Sequence, residues 1–247
     1  MKVKVGDVVV PGDIVDDISG VKTETKCILG PGLRRYSENV IVCKSGIIRK
    51  KNPNTYWVDG HQRRYIPVRG ESVVGVVVNK SVEIFKVDIG ASEFASLSYT
   101  AFEGATKKNR PDVKLGDVLF AKLKVASMDM EAELECVDSR GKQAGMGVVA
   151  DDGFLFTCSI NVVRKILSPK CPLLKTLGRE VPHEIAVGMN GKVWLKARTT
   201  KETIALMNAI LAVEYISNEE TNAMCAKIVK SLQRRDQEGI CELKMPR

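Results

Sequence analysis

A mostly β protein with an α+β part at its C-terminal end is predicted by three observations. Short apolar runs separated by Gly, Pro, Asn and Asp fill residues 1–142. Near residue 143 the texture changes to strands interleaved with helix-capping signals. Hydrophobic content of 44% with 28% charged residues belongs to a chain folded nearly throughout. Three domains are expected, at 1–67, 68–142 and 143–247.

Residues 1–67 read as a small all-β domain: "DVVVPGDIV", "TKCILGPGL", "ENVIVCKSGIIRKK" and "NTYWVDGHQRRYIPV". Asp59-Gly60 is expected to be a two-residue hairpin turn between "TYWV" and "QRRYI", since both residue types tolerate positive φ. Gly30-Pro31-Gly32 fits a tight turn better than a phosphate loop, because no helix start follows to supply N–H donors.

Residues 68–142 offer five strands, "SVVGVVVNK", "VEIFKVDI", "SEFASLSY", "DVLFAKLKVAS" and "EAELECVD", with one long polar connection at about 100–115. That is the pattern of an OB barrel. In the last strand Glu131, Glu133 and Glu135 share one face and Ala132, Leu134 and Cys136 the other. The acidic face would repel phosphates, so it belongs to solvent or to a basic protein partner.

In residues 143–247, Asp151-Asp152-Gly153 reads as a turn, and Ser159 can cap a helix "INVVRKIL" that stops before Pro169. A second short helix, "CPLLKTL", ends at Gly178. The strands "HEIAV" and "KVWLKA" follow, then two helices opened by the capping boxes Thr199-x-x-Glu202 and Ser217-x-x-Glu220. Ile204, Met207, Leu211 and Tyr215 share one face of the first. The order β-α-α-β-β-α with one helix added is that of a KH domain.

Gly188-Met189-Asn190-Gly191 has the G-x-x-G form with which KH domains clamp an RNA backbone, but such a clamp joins the first two helices. Here that junction is Leu167-Ser168-Pro169-Lys170, and the tetrad lies between two strands. Asn190-Gly191 is therefore read as a hairpin turn. Trp194, on the following strand, is read as buried structure.

The net charge of +8 points to an anionic partner, and its distribution is informative: +5, −1 and +4 over the three segments. The nearly neutral middle segment concentrates Lys107, Lys108, Arg110, Lys114, Lys122 and Lys124 within residues 106–124, against Asp112 and Asp117. OB-type RNA sites combine basic loops with aromatics on which bases stack. Lys107, Lys108 and Arg110 are the candidate charges; Tyr99 and Phe102, with Phe85 and Phe94, are the candidate platforms. The alternatives are a solvated loop for the charges and barrel core for the aromatics.

Catalysis finds no candidate set. His61 and His183 are far apart, the seven cysteines include no C-x-x-C pair, and the carboxylates of Asp16-Asp17 and Asp151-Asp152 would diverge beside turns. No catalytic residue, metal or cofactor is expected, nor a small-molecule substrate. The alternating start "MKVKVGDVVV" is unlike a signal peptide, and no 18 uncharged apolar residues run together, so no membrane association is expected. Unpaired cysteines fit a reducing compartment, the cytoplasm or the nucleus with its nucleolus.

"RYIPVRGESVVGVVV", "ASLSYTAFEGATKKNRPDVKLGD", "GMGVVADDGFLF" and "VGMNGKVWLKA", spread over most of residues 64–197, resemble the cap subunits of the eukaryotic RNA exosome. Among these, "FEGATKKNRP" and "GMGV" favour the family of ribosomal RNA-processing protein forty. The resemblance implies a small β domain, an OB barrel of the S1 type and a divergent KH domain whose G-x-N-G packs against the rest of the protein. It further implies a non-catalytic subunit that staples a ring of RNase PH-like subunits, contacts other exosome subunits, and guides single-stranded RNA into the pore for 3′-to-5′ decay and rRNA processing. A purely structural staple that does not engage RNA, and an RNA-cleaving or RNA-modifying enzyme, are the competing readings.

Overall fold

The computed structural model describes residues 2–15, 27–51, 54–106, 108–127 and 130–242, the side chains of Lys2 and of residues 233–242 excepted. The chain divides into two compact units, Met1–Gln62 and Arg63–Arg247. The division precedes residue 67 because Tyr65 is buried in the core of the second unit, where its hydroxyl donates to Glu71 Oε2 at 2.6 Å.

The strands of the first unit are β1 (Lys2–Val3), β2 (Val8–Val9), β3 (Ile14–Val15), β4 (Ile28–Leu29), β5 (Leu33–Tyr36), β6 (Asn39–Val42), β7 (Gly46–Lys51) and β8 (Thr55–Asp59). They form two four-stranded sheets, β1-β3-β6-β5 and β2-β7-β8-β4. Val9, Val15, Val40, Val42, Ile48 and Val58 fill the core between turn-rich edges. Gly30-Pro31-Gly32 makes the expected tight turn, closed by Leu33 N–H donating to Gly30 O at 3.4 Å.

The Asp59-Gly60 hairpin is corrected. Neither residue has a positive φ, and residues 60–66 form no strand. The hairpin is instead β7–β8, joined across residues 52–54, with Lys51 opposite Thr55 and Ile47 opposite Asp59. "VIVCKSGII" is likewise two strands in different sheets, broken before Gly46. A Cβ on Gly60 would stand 2.4 Å from Ser45 O, so this glycine serves a close chain crossing rather than a turn. The Asp16-Asp17 pair lies outside the described residues.

The second unit opens with a closed five-strand barrel: β9 (Ser72–Lys80), β10 (Ile84–Asp88), β11 (Ala95–Ser98), β12 (Val118–Val125) and β13 (Glu133–Glu135). β9 pairs antiparallel with β10 and β12, β10 with β11, and β13 closes the ring by lying parallel to β11 and antiparallel to β12. β14 (Gly147–Val148) pairs antiparallel with Leu119 and Phe120 of β12, ahead of the stretch that meets β13. Alternation sends Phe85, Val87, Leu97, Leu119, Leu123 and Leu134 inward.

The KH part comprises β15 (Phe154–Thr157), α1 (Ile160–Leu167), α2 (Leu173–Glu180), β16 (His183–Val187), β17 (Lys192–Ala197), α3 (Thr200–Ala212), a 3-10 turn at Val213–Tyr215 and α4 (Asn218–Glu242). Its antiparallel sheet has the order β15-β17-β16. Ser159 caps α1 by accepting from Val162 N–H at 3.2 Å, and the Thr199/Glu202 and Ser217/Glu220 boxes both form.

Two helical expectations are corrected. α2 runs through Gly178 to Glu180, where Val181 N–H donates to Leu177 O; burial of Leu173 and Leu177 outweighs the cost of about 1 kcal/mol of an internal glycine. Along α3 and the 3-10 turn that follows it the buried face is Leu206, Ala209, Ile210 and Val213, not the expected stripe: Ile204 and Leu211 are exposed, Met207 is half-buried, and Tyr215 is 88% exposed. Both sets recur every three or four residues, and the i, i+3, i+4, i+7 set gives the wider face.

Candidate nucleic-acid interface

The long connection from β11 to β12, residues 99–117, leaves the barrel through a 3-10 turn at Tyr99–Ala101, started by Ser98 Oγ accepting from Thr100 N–H. Beyond it the chain is held locally: Thr106 N–H donates to Asn109 O at 2.9 Å, and Asn109 N–H returns to Thr106 Oγ1 at 3.1 Å. Two cations from different elements fasten it to the barrel. Lys80, at the end of β9, donates to Val113 O at 2.8 Å while its Nζ stands 5.8 Å from the Phe85 ring centroid. Arg110 donates through Nη1 to Val82 O at 3.1 Å and lies over the Tyr99 ring at 5.1 Å.

The five expected RNA contacts are thus placed differently. Lys107 lies outside the described residues. Lys108 is exposed and takes part in no hydrogen bond or ion pair among the described residues. Arg110 is exposed but already engaged by Val82 and Tyr99. Tyr99 is 9% exposed and belongs to the barrel core, its ring covered by Arg110; it offers no open face to a base. Phe102 is half-buried, edge-on to Phe85 with centroids 6.4 Å apart. Of the other cations, Lys122 sits opposite Glu135 across the β12–β13 ladder. Lys86 on β10 ion-pairs with Glu131.

Gly188 to Gly191 make the turn between β16 and β17. Gly191 N–H donates to Gly188 O at 3.1 Å, Gly188 N–H to Lys192 O at 3.0 Å, and only Gly191 has a positive φ, 84°. This is a three-residue hairpin loop ending in a left-handed residue. Its side chains face the barrel, not solvent. Asn190, 8% exposed, donates through Nδ2 to Val74 O and to Ile89 O, each at 2.7 Å, and accepts from Val74 N–H at 3.3 Å. Met189 N–H donates to Ser72 O at 2.9 Å, and a Cβ on Gly188 would lie 2.5 Å from Val74 N. The G-x-N-G therefore bolts the KH sheet to β9, and Met189 and Ile160 complete the barrel core. Trp194, 3% exposed, packs its indole over Gly153.

Lys192 adds an ion pair to the same junction, with Nζ 2.8 Å from Asp88 Oδ2 and 2.9 Å from Asp88 O. Burial alone would raise the Asp88 pKa. The Lys192 hydrogen bond, the Gly90 N–H and the Lys192 charge outweigh it, so the carboxyl titrates below its ordinary value. A depressed acid stabilises the fold above the unfolded pKa of about 3.9, and that contribution is lost as pH falls through the folded value. Asp88 is 41% exposed at its side chain, so solvent screening limits the effect of Asp88→Asn to below about 1 kcal/mol at pH 7. Melts of both proteins should draw together as pH falls from 7 through the folded value; a gap that stays the same from pH 7 down into the acid limb would show that the ion pair contributes nothing.

Sequence reasoning missed the roles of Lys80 and Asn190. Nothing in the neighbourhood of Lys80 marks it, because its partner carbonyl is 33 positions away. Asn190 was found as a turn former, while its barrel partners lie 116 and 101 positions away.

An S1-type OB barrel locked to a KH sheet, preceded by a separate β unit, defines a class: the multidomain proteins that join S1 and KH modules. Comparison with known proteins narrows it. The family model for the S1 domain of exosome complex component RRP40 matches residues 65–147, that for the mammalian RRP40 N-terminal region residues 7–61, and that for the KH domain residues 153–201. Exosome complex component RRP40 of Drosophila melanogaster is 48% identical over 92% of this chain and 97% of its own. The human RRP40 is 43% identical over 85% and 78%, and that of Saccharomyces cerevisiae 34% identical over 81% and 86%. A crystal structure of a protein assigned as an exosome complex RNA-binding protein shares the fold, with a TM-score of 0.58 at 22% identity, over 70% of this chain and 99% of that one. The chain belongs to the RRP40 family of exosome complex components.

Proposed function

We propose that this chain is a non-catalytic, RNA-binding cap subunit of an RNA exosome, which staples the RNase PH-like ring and guides single-stranded RNA into its pore. It serves rRNA processing and 3′-to-5′ decay in the nucleus, nucleolus and cytoplasm. The observation that carries the RNA part is Lys108, exposed and without an ion pair among the described residues, on a connection that Arg110 and Lys80 fasten to the barrel just beyond it. Family membership supports the assembly part. The non-catalytic reading draws on Asp152, whose carboxylate is held by Lys196 at 2.7 Å, and on the described residues, among which no three His, Cys, Asp or Glu gather as a metal site would require.

The test is RNA affinity against salt, together with co-purification. If Lys107 and Lys108 each neutralise about one phosphate, the slope of log K on log salt for single-stranded RNA becomes less negative by about 0.7 per charge removed, or roughly 1.4 for Lys107→Ala/Lys108→Ala. The melting temperature should stay put, since exposed loop substitutions stay within about 0.5 kcal/mol. Parallel salt plots with retained RNase PH-like partners would instead favour a staple that does not engage RNA.

A further inference from the structure

We infer that Arg110 is a positioning residue of the RNA-binding connection, clipping it to the barrel, rather than one of its phosphate contacts. The inference rests on the RNA-binding reading above and divides its basic residues into two kinds. Arg110 and Lys108 look equivalent in sequence, two cations in one loop, but their surroundings differ. The Arg110 guanidinium spans two elements: Nη1 donates to Val82 O in the β9–β10 turn, and the plane lies over Tyr99 at the root of the connection. Lys108 touches neither. The two contacts engage Nη1 and one face of the guanidinium, and they fix where the connection passes over Tyr99.

The clip works with Lys80, which holds Val113 three residues further along the same connection. Between Tyr99 and Arg110 the described segment is held by Cys136 N–H on Ala101 O, Gln143 N–H on Glu103 Oε2 at 2.6 Å, the Thr106/Asn109 bonds and a long contact from Asn109 Nδ2 to Gly104 O at 3.5 Å. The root of the segment is thus tied at Ala101 and Glu103, and Arg110 supplies the contacts with Val82 and Tyr99 two residues beyond Lys108. Arginine suits the task because its planar fork stacks on an aromatic face and donates in plane at once, which a lysine ammonium cannot reproduce.

Hydrogen exchange and salt-dependent binding to single-stranded RNA of the full chain test this with Arg110→Ala, Arg110→Lys and Lys108→Ala. The Thr106 and Asn109 amides should exchange at least tenfold faster in both Arg110 variants and unchanged in Lys108→Ala. Arg110→Ala should weaken binding by roughly three- to tenfold with a salt slope within 0.3 of wild type, whereas Lys108→Ala should shift the slope by about 0.7. Arg110→Lys, which keeps the charge, should resemble Arg110→Ala. Unchanged amide exchange, with a slope shift of about 0.7 in Arg110→Ala and recovery in Arg110→Lys, would make Arg110 a phosphate contact and overturn the inference while leaving RNA binding intact. Absence of RNA binding by the wild type would sink the functional reading, yet the exchange rates would still decide whether the clip exists.

Discussion

Asn190→Leu should be the most destabilising of the conservative-volume substitutions in this chain, at about 3–5 kcal/mol. The change keeps the size of the side chain but removes every partner it provides, leaving Val74 N–H, Val74 O and Ile89 O facing apolar atoms. Each buried group deprived of its partner costs about 1–3 kcal/mol. The KH sheet and barrel share these bonds, so the variant should lose cooperativity as well, with KH and barrel melting apart rather than together. Calorimetry reads both effects. A single transition within about 3 °C of wild type would show that Asn190 is replaceable and that the other contacts of the junction suffice to hold the two modules.

Gly191→Val is expected to cost about 3–5 kcal/mol while leaving the RNA affinity of the folded fraction unchanged. A valine at φ 84° carries strain on the order of 1–3 kcal/mol. Its Cβ would also stand 2.6 Å from Cys158 O, a backbone atom at the end of β15 that cannot swing aside. Gly191→Asn separates the two terms, because asparagine tolerates the left-handed region but brings the same Cβ. It should fall between wild type and valine. An unchanged melt with much weaker RNA binding would mean that the tetrad touches RNA after all.

What could be read from sequence was whatever short-range physics decides. β9 was legible to the residue because a run of Val between Gly-Glu and Asn-Lys has no competing period. The Ser159 cap and both capping boxes were legible because donor and acceptor lie three residues apart. Asp59-Gly60 failed since the same dipeptide also suits a crossing chain, and the crossing is set by Ser45 in the connection between β6 and β7. The α3 face failed because two apolar stripes wrap one helix, and the choice between them belongs to what packs on top. At the site, composition found the basic connection, but it could not tell a cation that faces solvent from one that grips a carbonyl. Arg110 and Lys108 are separated by one residue and by an entire role.

The barrel's closing strand, β13, and the bolt on β9 arrive at the ribosome's exit at different times. β13 ends at Glu135, so the ring of strands can shut once that residue is free, but Asn190 emerges roughly 55 residues later, about 3–11 s at 5–20 residues per second. Through that interval the peptide groups of Val74 and Ile89 that Asn190 will satisfy remain bonded to water, and Met189 and Ile160 have yet to cap the apolar interior. A nascent chain stalled between these points carries a finished cylinder with an unsealed end.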